Sequence, residues 1–463
     1  MILASGSPLC DRQNSAITAR WPQVLGPGTT RLARIGHALA ARVLIVSYVY
    51  PPAASVGGVR WSTMAKYLRG AGHHVTVLTS AAFGERDDDN AMAVRRTGDL
   101  SGSSRLRRLL RRPALASSAA PDAVQTAPPR VLTRLLVPDG YIASWVPFAV
   151  REARRIVRSE QIDCVITSSP PESAHMVGLA LGARGPAWIA DLRDGWTFEA
   201  HRQPFPLRIQ RALDARLEAA VIKRAEGVTS ALMPVARDLE ARFGRTVRHV
   251  PNGWDPELVP RRPAIELAPD MVNVVHTGTL VGAGFRRDPT SFFRALESLL
   301  KRRPELGHRI RIVVAGVKTT EDAALLRRFE LGEVVQHVGR LPREEAVWLQ
   351  RQADILLLLS SAPHLVSPVP AKLYEYLAAD APVLAVAPPG SESARVVDDT
   401  GAGLCVSPYD DEALVTALER AAAGELRRRD GAAPASDYVY PAPAEAMMDE
   451  IDAAIAATRL SRR

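Results

Sequence analysis

The run Val43-Leu44-Ile45-Val46-Ser47-Tyr48 is short and rich in β-branched residues, and Pro51-Pro52 and then Gly57-Gly58 stop it. A helical pattern follows from about 59 to 71, with Met64, Tyr67 and Leu68 on one face. Gly72 closes it before a second run, His74–Thr79. Strand, glycine-bearing loop, helix, strand is a βαβ unit. Such a unit commits the chain to a parallel sheet, which is stable only with helices on both faces. The rhythm recurs. Strands are predicted at Asp163–Thr167, Ala187–Leu192, Gly227–Ser230 and Thr246–Val250, with helices at about 172–183, 206–225 and 235–243. A second series has strands at Val272–His276, Ile310–Ala315, Val334–Val338, Ile355–Leu359 and Val383–Val386. Helices lie between them and at about 410–423 and 443–457. One α/β layout used twice predicts two Rossmann-like lobes facing each other across a cleft.

Between and around the two series the composition shifts. Residues 1–40 show no period and read as an N-terminal extension, expected to be mobile. The first lobe is expected over 41–255, with an insertion at 81–140. That insertion carries Asp87-Asp88-Asp89, a basic knot at Arg105–Arg112, and Ala, Ser and Pro in quantity. A Pro-rich linker is expected at 256–270, the second lobe at 271–440, and a C-terminal helix and tail at 441–463.

With 463 residues, 47% of them hydrophobic, the chain can bury large cores without disulfides or metals. Its three cysteines, Cys10, Cys164 and Cys405, form no CxxC pair, which excludes a zinc finger and fits a reducing cytosol. No run reaches the roughly 18 apolar residues of a membrane-spanning helix. The net charge of +9 favours anionic partners. The cations are nearly all arginine and are not interleaved with stacking aromatics, so a nucleic-acid partner is not expected.

Ligands of open α/β sheets sit beyond the carboxyl ends of the strands, and three charged or glycine-bearing segments lie there. Gly57-Gly58-Val59-Arg60 follows the first strand. It is either a plain turn or a backbone that approaches an anion; it is not GxGxxG, so no dinucleotide cofactor is indicated. Asp191-Leu192-Arg193-Asp194-Gly195-Trp196 crowds charge at another strand end, as a structural ion pair or as a cluster that orients an acceptor hydroxyl. Ser367 through Leu377 leads from a strand into a helix on which Lys372 and Glu375 share a face. The pair reads as a salt bridge, or as a carboxylate for ribose hydroxyls beside an ammonium for phosphate. His175, on a predicted helix after a strand, either faces an acceptor or packs inside. Asp87-Asp88-Asp89 contains an Asp-x-Asp, but in a polar loop rather than at a strand end, so no metal site is assigned.

Six segments in order resemble the GT-B glycosyltransferases of family 4, group 1. They are Leu44–Pro52 with Gly57–Arg60, Ser168–Pro171, Asp191–Trp196, Pro251–Asp255, His276–Leu280 and Lys372–Leu377. The resemblance implies a nucleotide-sugar donor in the second lobe and a sugar or lipid-linked acceptor in the first. It further implies transfer with retained anomeric configuration, no obligatory metal and no cofactor. Polysaccharide or glycoconjugate synthesis in the cytoplasm would follow. Leu106, Leu109 and Leu110, at helical spacing among Arg105, Arg107, Arg108, Arg111 and Arg112, read either as a solvated basic loop or as a short amphipathic stretch that rests on anionic lipid at the inner face of the membrane, where a lipid-linked acceptor would be met. The alternative is a non-catalytic nucleotide-sugar-binding or partner subunit of the same fold; a third reading is a sugar-nucleotide epimerase.

Residue by residue, Glu375 matches the second of the family's two spaced glutamates, the one that holds the ribose. Ser367 stands where the first would be. Thr279 follows Gly278 where many relatives have an arginine. Arg286 or Arg287 matches the lysine that meets the diphosphate, and the sequence does not separate them. Gly57 and Gly58 match the glycine loop near the donor phosphate. Asp191 and Asp194, with Arg193 on the acceptor side, occupy the place of a catalytic-site histidine.

Overall fold

The computed structural model describes residues 40–462 except 54, 85–92, 99–135, 200–203, 282–287, 361–366 and 430–434. The expectations for 1–39, Asp87–Asp89, Arg105–Arg112, Arg286 and Arg287 therefore lie outside the described residues. In the first lobe the strands are β1 (Arg42–Ser47), β2 (His74–Ser80), β3 (Val94–Thr97), β4 (Cys164–Ser169), β5 (Ala187–Leu192), β6 (Gly227–Ser230) and β7 (Arg248–His249). In the second they are β8 (Val272–Thr277), β9 (Ile310–Ala315), β10 (Val335–His337), β11 (Ile355–Leu359), β12 (Val383–Val386) and β13 (Gly403–Val406).

Both sheets are parallel, ordered β3-β2-β1-β4-β5-β6-β7 and β10-β9-β8-β11-β12-β13. Each reverses direction of travel between its first strand and the fourth, so each has a switch point, β1/β4 and β8/β11, where two loops diverge and leave a crevice. The two Rossmann-like lobes are thus confirmed. The apolar runs of the central strands explain why. In β1, Val43 and Ile45 pack against Trp61, Met64 and Leu68 of helix Val56–Gly70, while Leu44 and Val46 pack on the other face against Trp145, Ala149 and Ile156. In β11, Ile355, Leu357 and Leu359 face one layer, and Leu356 and Leu358 the other. Two apolar faces require an unbroken apolar strand.

Four features differ from the sequence expectation. The second sheet ends in β13, an unforeseen strand paired in parallel to β12. The stretch 81–140 contributes β3, an edge strand paired in parallel to β2. An unforeseen helix, Val146–Glu160, packs on the sheet through Ala149, Ala153 and Ile156. The last helix, Ala442–Ser461, does not simply close the chain. It returns to the first lobe and buries Met447, Met448 and Ile451 in the layer that also holds Trp61 and Met64. Outgoing and returning segments run side by side: Trp254 donates its N–H to the Tyr438 carbonyl at 2.8 Å, and Tyr440 donates to the Trp254 carbonyl at 3.0 Å.

Candidate functional site

The crevice between β8 and β11 gathers Lys372 and Glu375, the charged groups singled out in the second lobe that lie among the described residues. β8 ends at His276-Thr277, and Gly278 turns the chain with φ +124°, a conformation that strains any other residue. A side chain there would also meet the Lys372 ammonium, which lies 2.6 Å from the place of a Cβ. From the opposite side, a Cβ on Gly316 would strike the Gly278 carbonyl at 2.2 Å and the Thr279 nitrogen at 2.7 Å. The turn is pressed between β9 and Lys372.

His276 is fully buried and its Nδ1 lies 2.9 Å from the Leu357 carbonyl. A carbonyl only accepts, so Nδ1 carries the proton and Nε2 presents its lone pair. The Lys372 ammonium donates to that lone pair at 3.0 Å. A neutral imidazole thus holds a cation at the crevice without cancelling its charge. One turn further on, Glu375 accepts from Arg343 Nε at 3.0 Å and from Gln350 Nε2 at 3.0 Å. Gln350 also donates to Thr277 Oγ1 at 2.9 Å, which ties the carboxylate to the end of β8. Each oxygen of Glu375 keeps a second lone pair, so the group can still accept from a ligand's hydroxyls.

Ser367 supplies two donors from the loop after β11. Its N–H and hydroxyl both reach Glu199 Oε2, at 2.9 and 2.5 Å. Glu199 belongs to the loop after β5, so this is a direct contact of the first lobe with the second. Its φ of +43° is unusual for a non-glycine residue and needs surrounding contacts to hold it.

In the first lobe the residues at the strand ends are enclosed. Asp191 is fully buried. Arg60 Nη2 (2.9 Å) and Thr229 (2.8 Å) donate to one oxygen, and Ser168 (2.9 Å) to the other. Arg60 also donates to the carbonyls of Val250 and Pro251, both at 2.9 Å, and so joins helix Val56–Gly70 to the end of β5 and to the exit toward the second lobe. Arg193 lies flat on Gly57: a Cβ there would fall 2.0 Å from its Nη1. Its Nε donates to the Ser169 carbonyl at 3.0 Å and its Nη2 to that of Pro170. Burial lowers its pKa from the ordinary arginine value, against the opposing pull of Asp194 and Asp191. Gly58 donates its N–H to the capping Ser55 hydroxyl at 3.0 Å, so that donor already serves the helix.

His175 sits inside, stacked on Trp196 with centroids 5.8 Å apart and 2.8 Å from Thr167 Oγ1. Burial lowers its pKa to about 4. The unfolded imidazole binds a proton below about 6.5, whereas the folded one resists it down to about 4. The fold therefore has full benefit of the neutral ring above pH 6.5 and loses it as the pH falls toward 4. The expected loss is on the order of 3 kcal/mol. Denaturant melts across this window should show a slope that His175→Gln flattens; parallel curves for both would rule out His175 as its source.

Sequence reasoning singled out Gly278, Thr279, Lys372 and Glu375, and the structure brings Gly278, Lys372 and Glu375 to one crevice with Thr279 in the adjoining turn. It missed His276 as a participant, although the residue ends a strand next to Gly278. It also missed Arg343, Gln350 and Glu199. Among the described residues no three His, Cys, Asp or Glu side chains gather as metal ligands, and no helix is long and apolar enough to cross a membrane.

Two parallel Rossmann-ordered lobes thus place a carboxylate and an ammonium at the switch point of the second, the position where open α/β sheets hold their ligands. Residues 57–258 match the family described as Glycosyltransferase Family 4, and residues 284–433 match Glycosyl transferases group 1. The two matches take in most of the chain, which belongs to the GT-B glycosyltransferases of group 1. It is 34% identical over 85 residues to a probable glycosyltransferase, WbjE, of Pseudomonas aeruginosa; the match covers 18% of this chain and 21% of that protein. The chain thus spans about a fifth of the length of that curated relative. Its fold is similar to sucrose-phosphate synthase from Thermosynechococcus elongatus, with TM-score 0.57, 15% identity, and 91% and 98% of the two chains covered. It is also similar to WaaG, a glycosyltransferase involved in lipopolysaccharide biosynthesis, with TM-score 0.53, 15% identity, and 90% and 95% covered.

Proposed function

We propose that this protein moves a sugar from a nucleotide-sugar donor to an acceptor hydroxyl, with retention and without a metal, in polysaccharide or glycoconjugate synthesis. The observation that carries the reading is the crevice at β8/β11, where Glu375 with open lone pairs and Lys372 on a neutral His276 flank the Gly278 turn. In this reading Glu375 accepts from the two ribose hydroxyls, Lys372 faces phosphate, and Arg286 or Arg287 meets the charge that grows on the leaving diphosphate. The bond from the anomeric carbon to the diphosphate oxygen breaks. The acceptor oxygen bonds the same carbon on the same face, and its proton passes to the leaving phosphate, which departs as nucleoside diphosphate. Asp194 and Arg193 stand on the acceptor side. Asp191, enclosed by Arg60, Ser168 and Thr229, acts by positioning. The compartment we assign is the cytoplasm, in keeping with free Cys164 and Cys405.

Ser367, with both donors already on Glu199, favours the second reading, a nucleotide-sugar-binding subunit without turnover. One experiment separates them. A thermal-shift screen of nucleotide sugars finds the donor. Release of nucleoside diphosphate is then followed with and without candidate acceptors, in EDTA. Acceptor-dependent release that survives EDTA is expected. Binding without any release supports the subunit; release abolished by EDTA and restored by manganese overturns the metal-free reaction. Conversion of the donor to its epimer with no acceptor present overturns sugar transfer itself.

A further inference from the structure

Ser367 and Glu199 meet across the two lobes, and the contact is built from both sides. Ser367 is 1% exposed, and its N–H (2.9 Å) and hydroxyl (2.5 Å) converge on one oxygen of Glu199. Val369 of the same loop packs against the first-lobe cluster that holds Leu192 and Trp196. The loop that leads into Lys372 is thus seated on the first lobe by a polar and an apolar contact. Glu199 itself is half-buried and holds φ +43°, a conformation that a non-glycine residue keeps only when its surroundings fix it. It stands on the loop after β5 that also carries Arg193 and Asp194. A carboxylate accepts at about four sites, and Ser367 uses two of them.

We propose that Glu199 is a ligand of the transferred sugar, a carboxylate that the first lobe contributes to the donor site of the second, and that it selects donors whose sugar is neutral and hydroxylated. This role rests on the donor reading of the β8/β11 crevice, in which Glu375 takes the ribose and Lys372 the phosphate. From helix back to loop, Glu375, Lys372 and Ser367 follow the order ribose, diphosphate, sugar in which a nucleotide sugar is built. The sugar is also the part that the acceptor must reach. It therefore lies toward the first lobe, and Glu199 is the first-lobe group that touches this loop. A carboxylate held by Ser367 accepts from sugar hydroxyls. It repels a hexuronic acid, whose own carboxylate would be brought beside it. Sugar recognition is then divided between the lobes, whereas the nucleotide is held by the second alone.

Isothermal calorimetry on the full chain tests this by binding, whether or not sugar is turned over. The probes are UDP, UDP-glucose, UDP-N-acetylglucosamine and UDP-glucuronic acid, with GDP, GDP-mannose and GDP-mannuronic acid. The wild-type protein is expected to bind a neutral nucleotide sugar more tightly than its bare diphosphate, and the matching uronic acid no more tightly. Glu199→Ala should weaken the neutral nucleotide sugar about tenfold or more and leave the bare diphosphate within about twofold. Glu375→Ala, by contrast, should weaken both. Glu199→Gln keeps an acceptor for Ser367 but drops the charge, so it should narrow the gap between neutral and uronic donors about tenfold. It is nearly isosteric and carries the comparison where Glu199→Ala melts lower. A Glu199→Ala protein that loses diphosphate and nucleotide sugar alike overturns the proposal, by leaving Glu199 a strut between the lobes. So does one that binds both as the wild type does, or a wild-type protein that takes the uronic acid as tightly as the neutral sugar. A wild-type protein that binds none of the probes overturns the donor reading itself, and the role of Glu199 with it.

Discussion

Glu375→Ala is expected to lower kcat/KM for the nucleotide-sugar donor by roughly ten- to more than hundred-fold. Hydrogen bonds to a charged group contribute about 1.5–3 kcal/mol each, and a factor of ten corresponds to about 1.4 kcal/mol. The carboxylate is held by Arg343 and Gln350, so it is positioned before a ligand arrives. Its loss should therefore fall mainly on donor binding and raise KM more than it lowers kcat. Arg343 is partly exposed and can turn to water, so the melting temperature should change little. Steady-state kinetics and a thermal melt of the same preparation check both halves. Wild-type kinetics in a folded Glu375→Ala protein would remove Glu375 from the donor site.

Asp191→Asn should act through stability. It leaves the Arg60 guanidinium buried beside a neutral amide, with side-chain exposures of 1% and 0% for the original pair. Removing one partner of a buried pair costs about 3–5 kcal/mol, because the remaining charge stays desolvated. At about 2–4 °C per kcal/mol for a unit of this size, the first lobe should melt roughly 6–20 °C lower. Glu412→Gln is the control: its pair with Arg302 is exposed on both sides and should matter little. Equal melting shifts for the two variants would deny Asp191 its structural weight and return it to the list of groups that face ligand.

The elements that sequence reasoning located are those whose burial has one simple signature. β11 was legible because five consecutive apolar residues between polar ones suit a strand covered on both faces. β3 was not, because Val94-Arg95-Arg96-Thr97 lies at a sheet edge and buries only Val94. Helix Val146–Glu160 was overlooked although Ala149, Ala153 and Ile156 recur at helical spacing opposite a charged face, so its pattern was there to be read. Site residues divide similarly. Gly278, Lys372 and Glu375 follow strands and could be read from local order. Arg343, Gln350 and Glu199 reach the same region from 32, 25 and 168 residues away from their partners, and no local pattern announces such contacts. The enclosure of Asp191 was equally hidden, since an acid at a strand end reads alike whether it faces a cleft or a neighbouring arginine.

The returning helix Ala442–Ser461 makes the order of the chain differ from the order of its parts. The layer over β1 and β5 is built from residues near both extremes of the chain. Met447, Met448 and Ile451, all fully buried, together contribute on the order of 5–9 kcal/mol, comparable to the whole stability of a domain. A premature stop codon before 442 would thus spare the second lobe's own strands and strip the first. A gene fragment cut at the linker would yield a first lobe with one wall missing. An independently folding first lobe would need 442–461 spliced behind its own last strand, so the natural chain can exchange its donor lobe only as an internal cassette, never as a tail.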